Sequence, residues 1–337
     1  MTMIPMIHNL ELLKGVKPSM RYDGKEDFAA WQKRARATLS ELLCLQNIER
    51  AKDNCFTVEY TEETEEYTET RFTLQSEPGY TFPCVLRVPK NSKGKIPLVI
   101  CLQGHSTGFH ISLGKPIHPK DVNSIAGGDR DFAVRIVKEG YAALAIEQRN
   151  FGECGGAGAD GPACHVSTMT AIINGRTTIG ERVVDVSCAI DAALEHFDFV
   201  DAENIILMGN SGGGTATYYA AAIDERISLA MPSCAVCTYK DSIAAMKHCV
   251  CNFIPNVAKY FDMGDLGGLI APRKLVVVHG KKDDIFPEAG VYESYDIIKD
   301  MYKAAGVPDS CALVSGAEGH RFYADDAWPV ANKFIKK

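Results

Sequence analysis

The chain has 337 residues, 36 Lys and Arg against 43 Asp and Glu for a net charge of −7, and 46% hydrophobic to 23% charged residues. Such proportions describe a globular protein large enough to bury a substantial core, and they exclude disordered, collagen-like and coiled-coil chains. No apolar run approaches the roughly 20 residues of a membrane span, and no basic stripe supplies the charge for phosphate binding, so neither membrane nor nucleic acid is expected as a partner.

Residues 1–50 read as a helical extension, in which residues 26–44 put Phe28, Trp31, Ala35, Leu39 and Leu42 on one helical face. The rest, 51–337, reads as one catalytic domain. Apolar residues first alternate: Phe56, Val58 and Tyr60, then Phe72 and Leu74, then Phe82, Cys84, Leu86 and Val88. That period of two predicts antiparallel strands with a wetter face, and the acidic run Glu62–Glu66 predicts a solvated hairpin tip. From Lys95 the pattern changes to short continuous apolar strands at Ile96–Leu102, Tyr141–Ile146, Asn204–Met208, Ile227–Met231, Lys274–Val278 and Cys311–Val314. Helical segments at 129–139, 179–197, 212–223, 288–305 and 325–335 alternate with them. The expected fold class is α/β: a mostly parallel mixed sheet, helices on both faces, and an antiparallel N-terminal edge. The stretch 233–270 fits no strand–helix unit and is expected to be a cap-like insertion.

Gly209-Asn210-Ser211-Gly212-Gly213-Gly214 lies between a strand and a helix, the context a Gly-x-Ser-x-Gly nucleophile elbow requires. Ser211 would stand at a helix N-terminus, where free N–H groups favour developing negative charge. Gly104-His105-Ser106-Thr107-Gly108 matches the same pattern, but Phe109–Lys120, with Pro116 and Pro119, shows no helical periodicity; Ser106 is the decoy. A serine hydroxyl needs a base, and the base a carboxylate. In the chain order Ser, Asp or Glu, His, Asp283 in the loop after Lys274–Val278 is the first choice for the acid and Asp284 the second; one of the two is expected only to cap the helix near Pro287. His248, His279 and His320 follow Ser211. His279 abuts a strand and His248 lies in the insertion, which leaves His320, on a Gly-rich loop after the last strand, as the base. The oxyanion donors are expected to be the backbone N–H groups of Gly212 and of His105, whose ring would serve packing alone.

These residues, with Gln103-Gly104-His105, Glu147–Glu153, Ile270-Ala271-Pro272-Arg273 and Gly319-His320, resemble the α/β-hydrolase superfamily over about residues 70–337, in its dienelactone hydrolase-like and acetyl xylan esterase-like branch. Two positions depart from that pattern: Gln103 stands where relatives carry histidine, and Glu147 where they often carry aspartate. The resemblance implies an esterase without cofactor, often acting on acetylated sugars or small acyl esters, and a structural Arg149. A contact of Arg149 with a substrate carboxylate is the alternative.

Twelve cysteines in so long a chain are expected to be mostly buried free thiols of a reduced, cytoplasmic enzyme, because disulfide frameworks belong to short secreted domains and Met1–His8 has no signal-peptide pattern. Cys234 and Cys237, and Cys249 and Cys251, invite a zinc reading, but the second pair has one intervening residue where structural zinc sites usually have two to four; no metal is expected. Cys154 and Cys164, around a Gly-rich loop, are candidates for exposure. Gly155-Gly156-Ala157-Gly158 has the wrong spacing and no helix for a dinucleotide fingerprint.

The function expected is a serine carboxylester hydrolase working through an acyl-enzyme, on acetyl or other small acyl esters including carbohydrate-linked ones. The alternatives are amide, thioester or lactone hydrolysis with the same residues, prolyl-oligopeptidase-like peptidases among them, or a hydrolase fold kept for binding.

Overall fold

The computed structural model describes residues 3–156 and 161–335; of the Gly155–Gly158 tetrad, Ala157 and Gly158 lie outside them. Among the described residues the strands are β1 (Thr57–Glu63), β2 (Tyr67–Glu77), β3 (Tyr80–Pro89), β4 (Ile96–Leu102), β5 (Ala142–Ile146), β6 (Val200–Asn210), β7 (Ile227–Ser233), β8 (Lys274–Gly280) and β9 (Cys311–Gly316). They form a single sheet in the order β1-β2-β3-β5-β4-β6-β7-β8-β9. The pairs β1/β2, β2/β3 and β3/β5 are antiparallel. From β5 to β9 every neighbour is parallel.

Register explains the alternation seen in the sequence. Leu74 pairs with Phe82 and Phe72 with Cys84, so their side chains share one face, and all four are buried. The outermost strand behaves differently. Val58 on β1 is 48% exposed, because an edge strand has nothing packed over it; Phe56, just before the strand, has its ring 4.8 Å from that of Phe72, and the Tyr60 hydroxyl donates to Glu69 Oε1 at 3.0 Å.

In the parallel half both faces are covered. Leu98, Ile100, Leu102, Ile205 and Leu207 point into one apolar cluster with Trp31, Leu39, Ile179, Val183, Leu266 and Ile298. Val99, Cys101, Ile206 and Met208 point into the other, with Phe132, Ile136 and Trp328. A strand buried on both sides has no reason to alternate, which is why these runs are continuously apolar.

Helices form at Phe132–Lys138, Thr178–His196, Gly212–Ile223, Glu288–Ala304 and Ala324–Ala331, matching the expected segments. The Phe28–Leu42 helix is capped by the Asp27 carboxylate, which accepts from Ala30 N at 2.9 Å, and buries Trp31, Ala35 and Leu39. Pro5–Lys14, Pro119–Gly128 and Cys164–Ile173 are helical as well, with apolar faces too short or too exposed to register as periodicity. Within 233–270, the stretch expected to be a cap-like insertion, Val257–Tyr260 and Met263–Ile270 are helical, and the second is wholly buried. Its glycines are packing surfaces: a Cβ on Gly268 would stand 2.6 Å from the Trp31 ring. Tertiary packing here overrides the poor helix propensity of a Gly-Asp-Leu-Gly-Gly segment.

The chain runs β4, β5, β6 while the sheet runs β5-β4-β6, so successive connections leave β4 in opposite senses. That reversal of strand order makes the carboxyl ends of β4 and β6 a topological switch point, the usual ligand position in open α/β sheets.

Candidate active site

Leu102 at the end of β4 is in register with Gly209 at the end of β6, which brings the Gln103–Gly108 loop beside the turn at Ser211. Ser211 has φ 56° and ψ −124°, a region costly for a residue with a side chain and held only where the surroundings over-determine it. The neighbouring glycines do that. A Cβ on Gly213 would fall 2.2 Å from Leu102 O, one on Gly209 2.6 Å from Gly213 C, and one on Gly104 2.9 Å from Ser211 Cβ. Ser211 N donates to Ser233 O at 2.8 Å, fixing the turn to the end of β7. Gly212 is the first residue of the following helix, so its N–H has no acceptor within that helix.

Beyond β8, Asp283 is buried and Asp284 is exposed. Asp283 Oδ2 lies 2.8 Å from His320 Nδ1. Its Oδ1 accepts from Ile285 N at 2.9 Å and Phe286 N at 3.2 Å, so this carboxylate shapes its own loop while holding the imidazole. Burial alone would raise the Asp283 pKa, but the His320 hydrogen bond, the His320 charge and the two backbone donors outweigh it and hold the carboxyl below the usual range. His320 stacks on Phe286, centroids 5.9 Å apart. The loop carrying it is tied to the elbow, because Arg321 O accepts from Ser233 Oγ at 3.4 Å and from Cys234 Sγ at 3.2 Å.

The histidines set aside in the sequence separate here. His279 is buried on β8, its Nε2 2.8 Å from Ser315 Oγ. His248 is different. Its ring meets the Phe286 ring edge-on at 5.7 Å, so Phe286 is shared between His248 and His320. Burial, then the positive potential of His105 and later of His320, lowers its pKa, and its Nε2 is buried without a hydrogen-bond partner. Sequence reasoning gave it no role, because 234–262 is largely irregular and offers a histidine no periodic address.

The departures from the family pattern have local explanations. Gln103 is buried and its Nε2 donates to Ser112 Oγ at 2.8 Å and Arg130 O at 2.6 Å, bracing the loop after β4. Glu147 accepts from Phe109 N at 3.2 Å and Glu153 N at 3.3 Å, and burial pushes its pKa up to about 8. It fits only because Gly108 and Gly152 flank it; a Cβ on Gly152 would lie 2.1 Å from its Oε2. Arg149 is buried, donating to Asp185 Oδ1 and Oδ2 at 2.8 Å and to Glu77 Oε1 at 2.5 Å, with its guanidinium 3.9 Å from the Tyr80 ring. Its Nη1 lies 3.8 Å from Glu181 Oε1, so the guanidinium is surrounded by three carboxylates of the protein itself.

All twelve cysteines are free. Cys164 is buried, not exposed, and Cys154 is half-buried, with its pKa pushed by burial to about 12. Cys234 and Cys237 go to different carbonyls, Arg321 O and Pro287 O. Cys249 and Cys251, however, meet Cys164 and His105: one donor atom from each of the four lies within 4.8 Å of every other. Spacing along the chain could not reveal this group, since its members come from three separate segments, and the expectation of a metal-free chain did not weigh it.

A family model described as the abhydrolase family matches residues 4–173, half of the chain. The chain belongs to that family. This abhydrolase is also matched over residues 174–331 by a model of the prolyl oligopeptidase family. YtaP, a candidate hydrolase of Bacillus subtilis (strain 168), is 27% identical over 245 residues, covering 71% of this chain and 77% of that protein. Among solved structures, a candidate acetyl xylan esterase from Bacteroides fragilis superposes with a TM-score of 0.77 at 17% identity, over 93% of this chain and 82% of the other. A glucuronoyl esterase from Solibacter usitatus gives 0.70 at 17% identity, over 95% and 98%. At such identities the likeness establishes a shared α/β-hydrolase fold. No helix among the described residues of this abhydrolase is long and apolar enough to cross a membrane.

Proposed function

We propose that this protein is a serine carboxylester hydrolase. The observation carrying the reading is the 2.8 Å bond between His320 Nδ1 and Asp283 Oδ2, on a loop tied to the strained turn that presents Ser211. Ser211 Oγ attacks the ester carbonyl as His320 Nε2 takes its proton. Asp283 fixes the imidazole tautomer and stabilises the imidazolium. The N–H groups of Gly212 and His105 receive the oxyanion. The alcohol leaves with the proton from His320, and water deprotonated by His320 then hydrolyses acyl-Ser211 and releases the acid. No cofactor enters any of these steps.

For the substrate we infer acetyl or other small acyl esters, carbohydrate-linked ones included. Support comes from structural relatives named as a candidate acetyl xylan esterase, a methylesterase and glucuronoyl esterases. The segment 234–262, with His248 and His320 both packed on Phe286, would cap the acyl-binding side. A panel of nitrophenyl esters of increasing acyl length, then acetylated xylose and xylan oligomers, tests this; turnover that rises with acyl length beyond butyrate would contradict it. The prolyl oligopeptidase match over 174–331 favours peptide cleavage as the second reading. Cleavage of Pro-containing peptides with a kcat/KM above that of acetyl esters would select it.

A further inference from the structure

Three segments converge beside the oxyanion segment: the loop after β4 (His105), the start of the Cys164–Ile173 helix after β5 (Cys164), and the stretch after β7 (Cys249 and Cys251). His105 Nε2 lies 3.1 Å from Cys251 Sγ, and Cys251 Sγ lies 3.3 Å from Cys249 Sγ; no pair of donors in the four-residue group is further apart than 4.8 Å. A tetrahedral zinc with Zn–S near 2.3 Å and Zn–N near 2.05 Å needs S···S of about 3.8 Å and S···N of about 3.6 Å. The two shortest separations fall about half an ångström short of those values, so a bound ion would hold these atoms slightly further apart than they stand without it.

Electrostatics supplies a second, independent observation. Arg182 is 1% exposed. Among the described residues no carboxylate pairs with it; its Nη1 reaches Cys251 Sγ at 3.6 Å and its Nη2 reaches Cys164 Sγ at 3.9 Å and Arg149 O at 2.9 Å. A buried guanidinium without an anion is costly. Neutral thiols do not compensate it, whereas three thiolates, one neutral imidazole and Zn²⁺ sum to −1 and match it. Cys101, by contrast, is the single cysteine of its buried apolar cluster, as structural thiols often are.

We propose that His105, Cys164, Cys249 and Cys251 bind one zinc ion as a closed Cys3His structural site with Arg182 as its counter-charge. Binding replaces the thiol protons: the three cysteines lose one proton each to solvent, and their sulfurs and His105 Nε2 donate to the metal. With four protein ligands the ion has no open position for water, so it takes no part in ester cleavage. Its work is to clamp the loops after β5 and β7 onto the loop after β4. That clamp explains the approach of the His105 ring to the elbow, where a Cβ on Gly212 would stand 2.6 Å from His105 Cε1. It also keeps the His105 backbone aimed at the nucleophilic turn.

The test uses the full chain, reduced and stripped of metal, then titrated with Zn²⁺. About one zinc per chain is expected, with a rise in melting temperature. Bound zinc should protect Cys164, Cys249 and Cys251 from alkylation while leaving the exposed Cys55 reactive, a readout by peptide mapping that needs no variant. Co²⁺ in place of zinc should give the intense visible bands of a tetrahedral thiolate site. Cys164→Ser and Cys249→Ser should each lower zinc affinity, and Cys237→Ser should not. Failure to bind zinc, equal alkylation with and without it, or binding unaffected by Cys249→Ser would overturn the site; so would a Cys249–Cys251 disulfide in protein prepared under reducing conditions.

Discussion

Ser211 is held in a costly backbone conformation, and removing its hydroxyl separates chemistry from folding. Ser211→Ala should lower kcat on a nitrophenyl acetate by about 10⁴–10⁶-fold with the melting temperature unchanged or raised; retention of a tenth of the activity would sink the nucleophile. The two adjacent aspartates make a sharper pair. Asp283→Asn should cost about 10⁴-fold in kcat by offering His320 a donor where it needs an acceptor, whereas Asp284→Asn, exposed in the same loop, should stay within about twofold of wild type. Two buried carboxylates also predict pH effects of opposite sign. Asp283 is held below the usual range, so its stabilisation is present above the unfolded-state pKa and is lost as pH falls through the folded one. Glu147 is raised from 4.5 to about 8; its contribution is complete below 4.5 and is lost as pH climbs to about 8. The stability advantage of wild type over Glu147→Gln, from denaturant midpoints, should therefore shrink between pH 5 and pH 9. An advantage that grows over that range would mean the carboxyl is ionised in the folded protein.

At the scale of elements, the site depends on how closely β4, β6 and the Gly212–Ile223 helix approach one another. Gly213 has no room for a methyl group, which would sit 2.2 Å from Leu102 O, a backbone atom that cannot swing aside. Gly213→Ala should destabilise by at least the roughly 1–3 kcal/mol typical of overpacking and lower kcat, because relief can come only from moving the elbow. The Phe28–Leu42 helix is a structural support at a distance. Trp31 is fully buried against Gly268, and Trp31→Ala should cost about 3–5 kcal/mol in urea unfolding without changing which ester is preferred. A change in acyl preference would show that the N-terminal segment lines the substrate site.

Across the whole molecule, the two halves of the sheet are joined by more than strand pairing. Arg149, in the loop after β5, binds Asp185 on the Thr178–His196 helix and Glu77 at the end of β2, and Arg176 joins Glu77 and Glu181. The antiparallel edge, the long helix and a loop of the parallel core thus share one buried charge network. Arg149→Met should cost about 3–5 kcal/mol, since it leaves carboxylates buried and uncompensated. A loss under 1 kcal/mol in chemical denaturation would show that those carboxylates reach water or take up protons instead.

Sheet architecture was legible in the chain because strand periodicity reports local exposure: alternation where one face is wet, continuous apolar runs where both are covered. The elbow was legible for a similar reason, since glycines at fixed offsets answer a short-range steric demand, and the order of Ser211, Asp283 and His320 follows from which strand each one ends. The helix at Met263–Ile270 was hidden because its glycines look like loop until a tryptophan from residue 31 fills the space they leave. His248 beside Phe286, and the meeting of His105 with three cysteines from two other segments, were decided only by the tertiary structure. Sequence spacing encodes neighbours along one backbone segment, whereas a site assembled across a sheet's carboxyl edge depends on the direction in which each loop leaves its strand, and that direction is set by packing.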